Sequence, residues 1–221
     1  IASYALLLHG LGADRLRSAV HYVILNLLGS SLFLLGAGLF YGVAGTLNMA
    51  DLARYVAQAQ GAERFLLQVA GWILLLVFGL KAAFLPLHFW LPRAYASASA
   101  PVAALFAIMT KVGLYAILRM TTLVFGADTG AALGFGLDVL FVIALLTMSL
   151  GAIGAFAAGT LNSMLAYLVL VSVGTLLAGI SMASEAAISA SLYYLLHSTW
   201  GIAGLFLLAD LIAKQRSKLR G

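Results

Sequence analysis

Residues 65–92 read FLLQVAGWILLLVFGLKAAFLPLHFWLP. The run exceeds the roughly 20 apolar residues that cross a bilayer as a helix, and Lys81 is its only Asp, Glu, Lys or Arg. Pro86 follows five positions later. Proline removes a backbone hydrogen bond and crowds the preceding turn. Inside a membrane the freed carbonyls must be satisfied by protein or by a water-filled cavity. A charge near the bilayer centre costs roughly 2.5–3.5 kcal/mol on insertion scales. The stretch therefore predicts a membrane-spanning helix broken at Pro86, with an ionisable group beside loosened backbone. A plain kink and a snorkelling or structurally paired lysine are the competing readings.

The next apolar run repeats the pattern. It opens at Pro101, a residue suited to the first turn of a helix, and carries Lys111 in Thr110-Lys111-Val112-Gly113. Charged residues are 9% of the chain, hydrophobic residues 64%, and mean hydropathy is +1.10. This balance defines an integral membrane protein. Cysteine is absent, which excludes disulfides, thiolate metal sites and iron–sulfur ligation.

Further apolar segments predict an all-α, polytopic transmembrane helix bundle in one domain. A partial helix covers 1–9, and full spans fall near 20–44, 65–92, 101–125, 134–157, 164–183 and 186–212. A basic tail occupies 213–221. Ile1 begins within an apolar stretch that lacks the basic leader of a signal peptide, so the chain reads as part of a longer membrane protein. Between the first two full spans, Leu47, Met49, Leu52, Tyr55 and Val56 recur at helical spacing and predict a short amphipathic segment. One set of boundary segments collects Arg15, Arg17, Arg93, Lys214, Arg216, Lys218 and Arg220. The other mixes Arg54 and Arg64 with Asp51, Glu63, Asp128 and Glu185. Lysine and arginine favour the cytoplasmic side, so the Arg93 loop and the basic tail are expected there, in a cell membrane.

Helix rise places the ionisable groups at matching depth. Lys111 lies about 15 Å from the Pro101 end, Lys81 about 16 Å from Pro92, and His197 about 16 Å from Ala186. The hydrocarbon core is about 30 Å thick. Three titratable groups on three helices suit a lateral chain of proton sites linked by hydroxyls and water. Burial disfavours the charged forms of lysine and histidine, and a nearby carboxylate opposes this; a movable ion pair would switch a lysine between holding and releasing its proton. No carboxylate of the chain is placed to be that partner. Asp138 and Asp210 lie near helix ends and suit structural roles. His88, near the end of the broken helix, reads as a proton-uptake residue or an interfacial one. His197 reads as a relay or as a neutral histidine hydrogen-bonded in the bundle. His9 and His21 read as boundary residues, and Arg119 as a snorkelling anchor. Ser149, Ser172, Tyr194 and Ser198 could bridge water or simply pack helices. No metal-ligand spacing, phosphate loop or nucleophile–base pattern is present; no cofactor, metal or nucleic-acid partner is expected.

Lys81-Ala82-Ala83-Phe84-Leu85-Pro86-Leu87-His88-Phe89-Trp90-Leu91-Pro92, with Ala100-Pro101-Val102 and Thr110-Lys111-Val112-Gly113-Leu114-Tyr115, resembles the proton-translocating antiporter-like membrane subunits. That superfamily spans respiratory NADH–quinone oxidoreductases (complex I), membrane hydrogenases and Mrp-type Na⁺/H⁺ antiporters. Tyr41 to Leu52, Leu165-Ala166-Tyr167 and Leu192 to Ser198 look most like the D subunits of Mrp antiporters. The resemblance covers essentially the whole chain.

It implies the middle of a longer subunit, with Lys81 and Lys111 matching the family's central lysines and the key glutamate lying before Ile1. It further implies a non-redox subunit of a monovalent cation (Na⁺)/H⁺ antiporter. Its partners would be other membrane subunits and the lipid bilayer, with H⁺ and Na⁺ as transported ions. The alternative is a proton-pumping subunit of a respiratory oxidoreductase or hydrogenase. Three departures favour the first. Gly201-Ile202-Ala203 stands where many relatives carry a lysine, Val173 where some respiratory subunits carry a histidine, and Asn162-Ser163 where some carry lysines.

Overall fold

The computed structural model of the chain describes residues 13–126 and 135–220. The partial helix at 1–9, His9 and Asp128 lie outside the described residues. The described residues form eight α-helices and no strand. They are α1 (Ala13–Ala44), α2 (Met49–Gln58), α3 (Gly61–Ala82), α4 (Trp90–Ser97), α5 (Ala100–Arg119), α6 (Leu137–Phe156), α7 (Leu161–Ser181) and α8 (Glu185–Arg220). A 3₁₀ turn at Leu87–Phe89 precedes α4, and a π turn at Met120–Val124 follows α5. Among the described residues six helical segments are long and apolar enough to cross a membrane, with α3, the 3₁₀ turn and α4 counting as one. The chain is a multi-pass membrane protein.

The helix ends follow local chemistry. Asn48 Oδ1 accepts from Ala50 N at 2.9 Å, capping α2, and Asp51 stands in its first turn where the helix dipole favours an acid. The predicted amphipathic segment is this helix; it buries Leu52 and Val56. Helix α1 starts at Ala13, so the polar stretch before residue 20 is largely helical. It contains no glycine or proline after Gly12 to stop it. Helix α8 likewise runs through the basic tail as far as Arg220. Lysine, arginine, glutamine and leucine are good helix formers, and Lys214 pairs with Asp210 one turn back at 2.7 Å. In the π turn, Thr121 and Thr122 hydroxyls donate to the Ile117 and Leu118 carbonyls at 3.0 and 2.7 Å, competing with the regular ladder.

Helix α6 packs along α7, α1 along α3, and α5 fits between α3 and α8. Leu114, Ile117, Val169, Leu170, Val173 and Leu177 are fully buried along the central seam. The outward face is also apolar: Leu34, Ile153 and Trp200 are exposed, as expected where the surrounding solvent is lipid. Gly174 permits the tight α6–α7 seam, since a Cβ there would sit 2.7 Å from Met148 N and 2.8 Å from Ala144 O.

Candidate functional site

Helix α3 stops at Ala82, four residues before Pro86. Ala83 adopts the left-handed conformation, φ 61°, usual for glycine at a helix end and costly for other residues. Phe84 N–H then turns back to Gly79 O at 3.2 Å. The peptide Leu85–Pro86 is cis. Two side chains satisfy backbone groups at this break. Trp90 Nε1–H donates to Leu80 O at 3.0 Å. Thr147 Oγ1, from α6, accepts from Leu85 N at 2.9 Å and donates to Ile143 O at 2.7 Å. The interruption is thus closed by protein groups, as hydrocarbon requires.

Lys81 lies in the last turn of α3, where the unsatisfied carbonyl end of a helix attracts a cation. Its Nζ donates to Oδ1 of Asn26, a buried residue of α1. A cavity of about 20 Å³ adjoins the pair, bordered by Tyr22, Leu80, Trp90 and Met109; it has room for one water.

Lys111 is 2% exposed. Its Nζ donates to Ser172 Oγ of α7 at 2.6 Å, and it forms part of the wall of an otherwise apolar groove of about 540 Å³ between α5 and α8. The two lysine-bearing helices meet backbone to backbone. Gly113 packs on the end of α3, where a Cβ would lie 2.8 Å from Ala82 N and 2.9 Å from Phe78 O. The residue after Lys81 therefore touches the residue two beyond Lys111, and only glycine allows that approach.

The histidines lie apart from these two contacts. His88 sits in the 3₁₀ turn and lines a cavity of about 520 Å³ with Arg17, His21, Arg93 and Tyr167. Its Nδ1 is buried with no hydrogen-bond partner among the described residues. His197 lies on the exposed face of α8, its ring stacked on Tyr193 with centroids 6.3 Å apart. Toward Lys111, α8 presents Leu192, Leu195 and Thr199 instead. Of the hydroxyl candidates, Ser172 reaches a lysine; Ser149 is exposed, and Ser198 donates to Leu195 O on its own helix at 3.4 Å. Asn26 and Thr147 were not singled out from sequence. The available signal was a polar residue alone in an apolar run, Ile24-Leu25-Asn26-Leu27-Leu28 and Leu145-Leu146-Thr147-Met148.

A helix-bundle membrane protein with one broken helix and two lysines, one half-buried and one buried, on adjoining helices is the class that fold and site define. The chain belongs to the family described as "NADH:quinone oxidoreductase/Mrp antiporter, TM", which matches residues 1–221. It is 46% identical over 215 residues to the D subunit of a probable K⁺/H⁺ antiporter of Rhizobium meliloti, covering 97% of this chain and 40% of that protein. It is 40% identical over 210 residues to the D subunit of the Na⁺/H⁺ antiporter of Bacillus subtilis, covering 95% and 41%. Among solved structures, the Mrp complex from Dietzia sp. DQ12-45-1b contains a chain 32% identical, with a TM-score of 0.84, covering 94% of this chain and 38% of that one. The chain spans about two fifths of the length of the curated relatives it matches.

Proposed function

We propose that this chain is the lysine-bearing centre of a proton-translocating subunit in a multi-subunit monovalent cation/proton antiporter. In this reading it exchanges cytoplasmic Na⁺ for external H⁺ and works with other membrane subunits as partners. Lys81 and Lys111 carry the proton, and His88, rather than the outward-facing His197, relays it on the Arg93 side, which faces the cytoplasm. The subunit performs no redox chemistry. The names of the two relatives support an antiporter over the respiratory alternative; one names K⁺ and the other Na⁺.

One observation carries the reading. The half-buried Lys81 and the buried Lys111 each meet a neutral partner, an amide and a hydroxyl, that serves either protonation state. Ser172 accepts from an ammonium and can turn its own O–H toward a free amine. The Asn26 side chain offers an oxygen to one state and an NH₂ to the other. A proton can leave either lysine without leaving its amine unpaired. The neighbouring break gives Lys81 a helix end and a water-sized cavity, and Gly113 holds the second lysine's helix against that end.

The test is cation-driven proton movement in vesicles containing the full complex. Lys81→Ala and Lys111→Ala are each expected to abolish exchange while the complex still assembles. If both leave exchange intact, the relay reading fails.

A further inference from the structure

Away from the two lysines, positive charge gathers where α1 meets the 3₁₀ turn and α4. The cavity of about 520 Å³ there is lined by Arg17, His21, His88 and Arg93 among others and, among the described residues, by no carboxylate. Among the described residues neither arginine forms an ion pair; the two pairs present are Arg54–Asp51 and Lys214–Asp210. Arginine's planar fork matches phosphate oxygens in a way that a point charge does not. Two arginines facing one cavity without a counter-charge among the described residues suit an anion.

A second hollow of about 440 Å³ shares Arg17 and His21 with the first and continues along α1 past Leu16, Val20 and Ile24. Those three side chains are 55%, 48% and 59% exposed. The two hollows make one surface with a basic end and an apolar end, at the terminus of a membrane-crossing helix. A free phosphate or a carboxylate would use the basic end alone. A phospholipid has both halves in the same order, a phosphodiester followed by acyl chains. Basic pockets between transmembrane helices are a recurring way of holding anionic headgroups.

We propose that this surface binds an anionic phospholipid, its phosphate between Arg17 and Arg93 and an acyl chain along Leu16, Val20 and Ile24. The site needs no proton movement, so it stands or falls separately from the lysine relay. Bound lipid would set a fixed negative charge beside His88 and neutralise a cavity that otherwise repels cations.

The test uses the purified full complex in detergent, with thermal stability titrated against three probes: phosphatidylglycerol, phosphatidylcholine and inorganic phosphate. Phosphatidylglycerol is expected to stabilise the wild type, and the other two to do so at least tenfold more weakly. R17Q and R93Q, both changes of exposed side chains, are each expected to weaken the apparent phosphatidylglycerol affinity several-fold, and R17Q/R93Q more than tenfold. Val20→Trp, which fills the apolar hollow and spares the charges, is expected to weaken it as well. Equal stabilisation by phosphatidylcholine overturns the proposal in favour of a purely apolar groove. Equal stabilisation by inorganic phosphate overturns it in favour of a soluble-anion site. An unchanged phosphatidylglycerol response in R17Q and R93Q, or crosslinking from the V20C variant to polypeptide rather than lipid, also overturns it.

Discussion

The Lys111 ammonium donates to the Ser172 hydroxyl across the α5–α7 contact, 2.6 Å apart and shut away from solvent. No second side-chain bond is made by that lysine among the described residues. Removing one partner from a buried polar pair costs roughly 1–3 kcal/mol, more when the remaining group is charged. Ser172→Ala is therefore expected to slow exchange about tenfold or more in vesicles, with normal assembly. Ser172→Thr keeps the hydroxyl and is expected to restore most of the rate. Equal loss in both variants would mean that packing, not the hydroxyl, is the requirement.

Asn26 plays the corresponding part for Lys81. Asn26→Leu fills similar volume but leaves the lysine without its amide partner, and exchange is expected to fall about tenfold. Asn26→Asp replaces the neutral partner by an anion that holds the ammonium by charge. The expected result is a rate at least as low as that of Asn26→Leu, because the proton is no longer released. An Asn26→Asp complex that exchanges ions at the wild-type rate would sink the idea that a neutral partner matters.

Thr147 tests the break itself. Its hydroxyl accepts from Leu85 N–H, a backbone donor with no helix to serve. Thr147→Val keeps the shape and removes the acceptor, at an expected cost of about 1–3 kcal/mol. A lowered thermal midpoint of the solubilised complex would report it, and Thr147→Ser should recover the loss. An unchanged midpoint in Thr147→Val would show that the break is held by other contacts.

Gly113 sets the distance between the lysine-bearing helices. Gly113→Ala pushes a methyl group against backbone atoms of Ala82 and Phe78, which cannot move aside as a flexible side-chain end can. Loss of exchange and lower stability are expected. Gly42→Ala, at a helical position with nothing within 4 Å, is the control and is expected to be neutral or slightly stabilising. Equal behaviour of the two variants would refute the close-approach argument.

Much of the bundle was legible along the chain. The length of an apolar run and the cost of a charge inside it are local properties, so the spans around Lys81 and Lys111 stand out without any knowledge of neighbours. Pro86 marked the region of the break but not its position. Helix α3 ends at Ala82 because the chain turns at Ala83, which has none of the usual signature of a left-handed cap. The π turn after Arg119 had no evident signal, since a threonine hydroxyl can bond back to the preceding turn of a regular helix as well. His197 shows the limit most clearly. Its depth along α8 follows from counting residues, but its direction around the helix does not, and α8 turns it to the exposed face.

The sequence by itself determined an all-helical membrane bundle, the approximate places of its apolar spans, and the two lysines as its costly charges. These follow from hydrophobic length measured against bilayer thickness, residue by residue. Only the tertiary structure decided which groups those charges meet. Asn26 and Lys81 are 55 residues apart, Lys111 and Ser172 61, Leu85 and Thr147 62. Each helix advances about 100° per residue, so a small change in rotation or crossing would turn every one of these partners away. Packing fixes that rotation, through close contacts such as Gly113 on Ala82 and Gly174 on Met148.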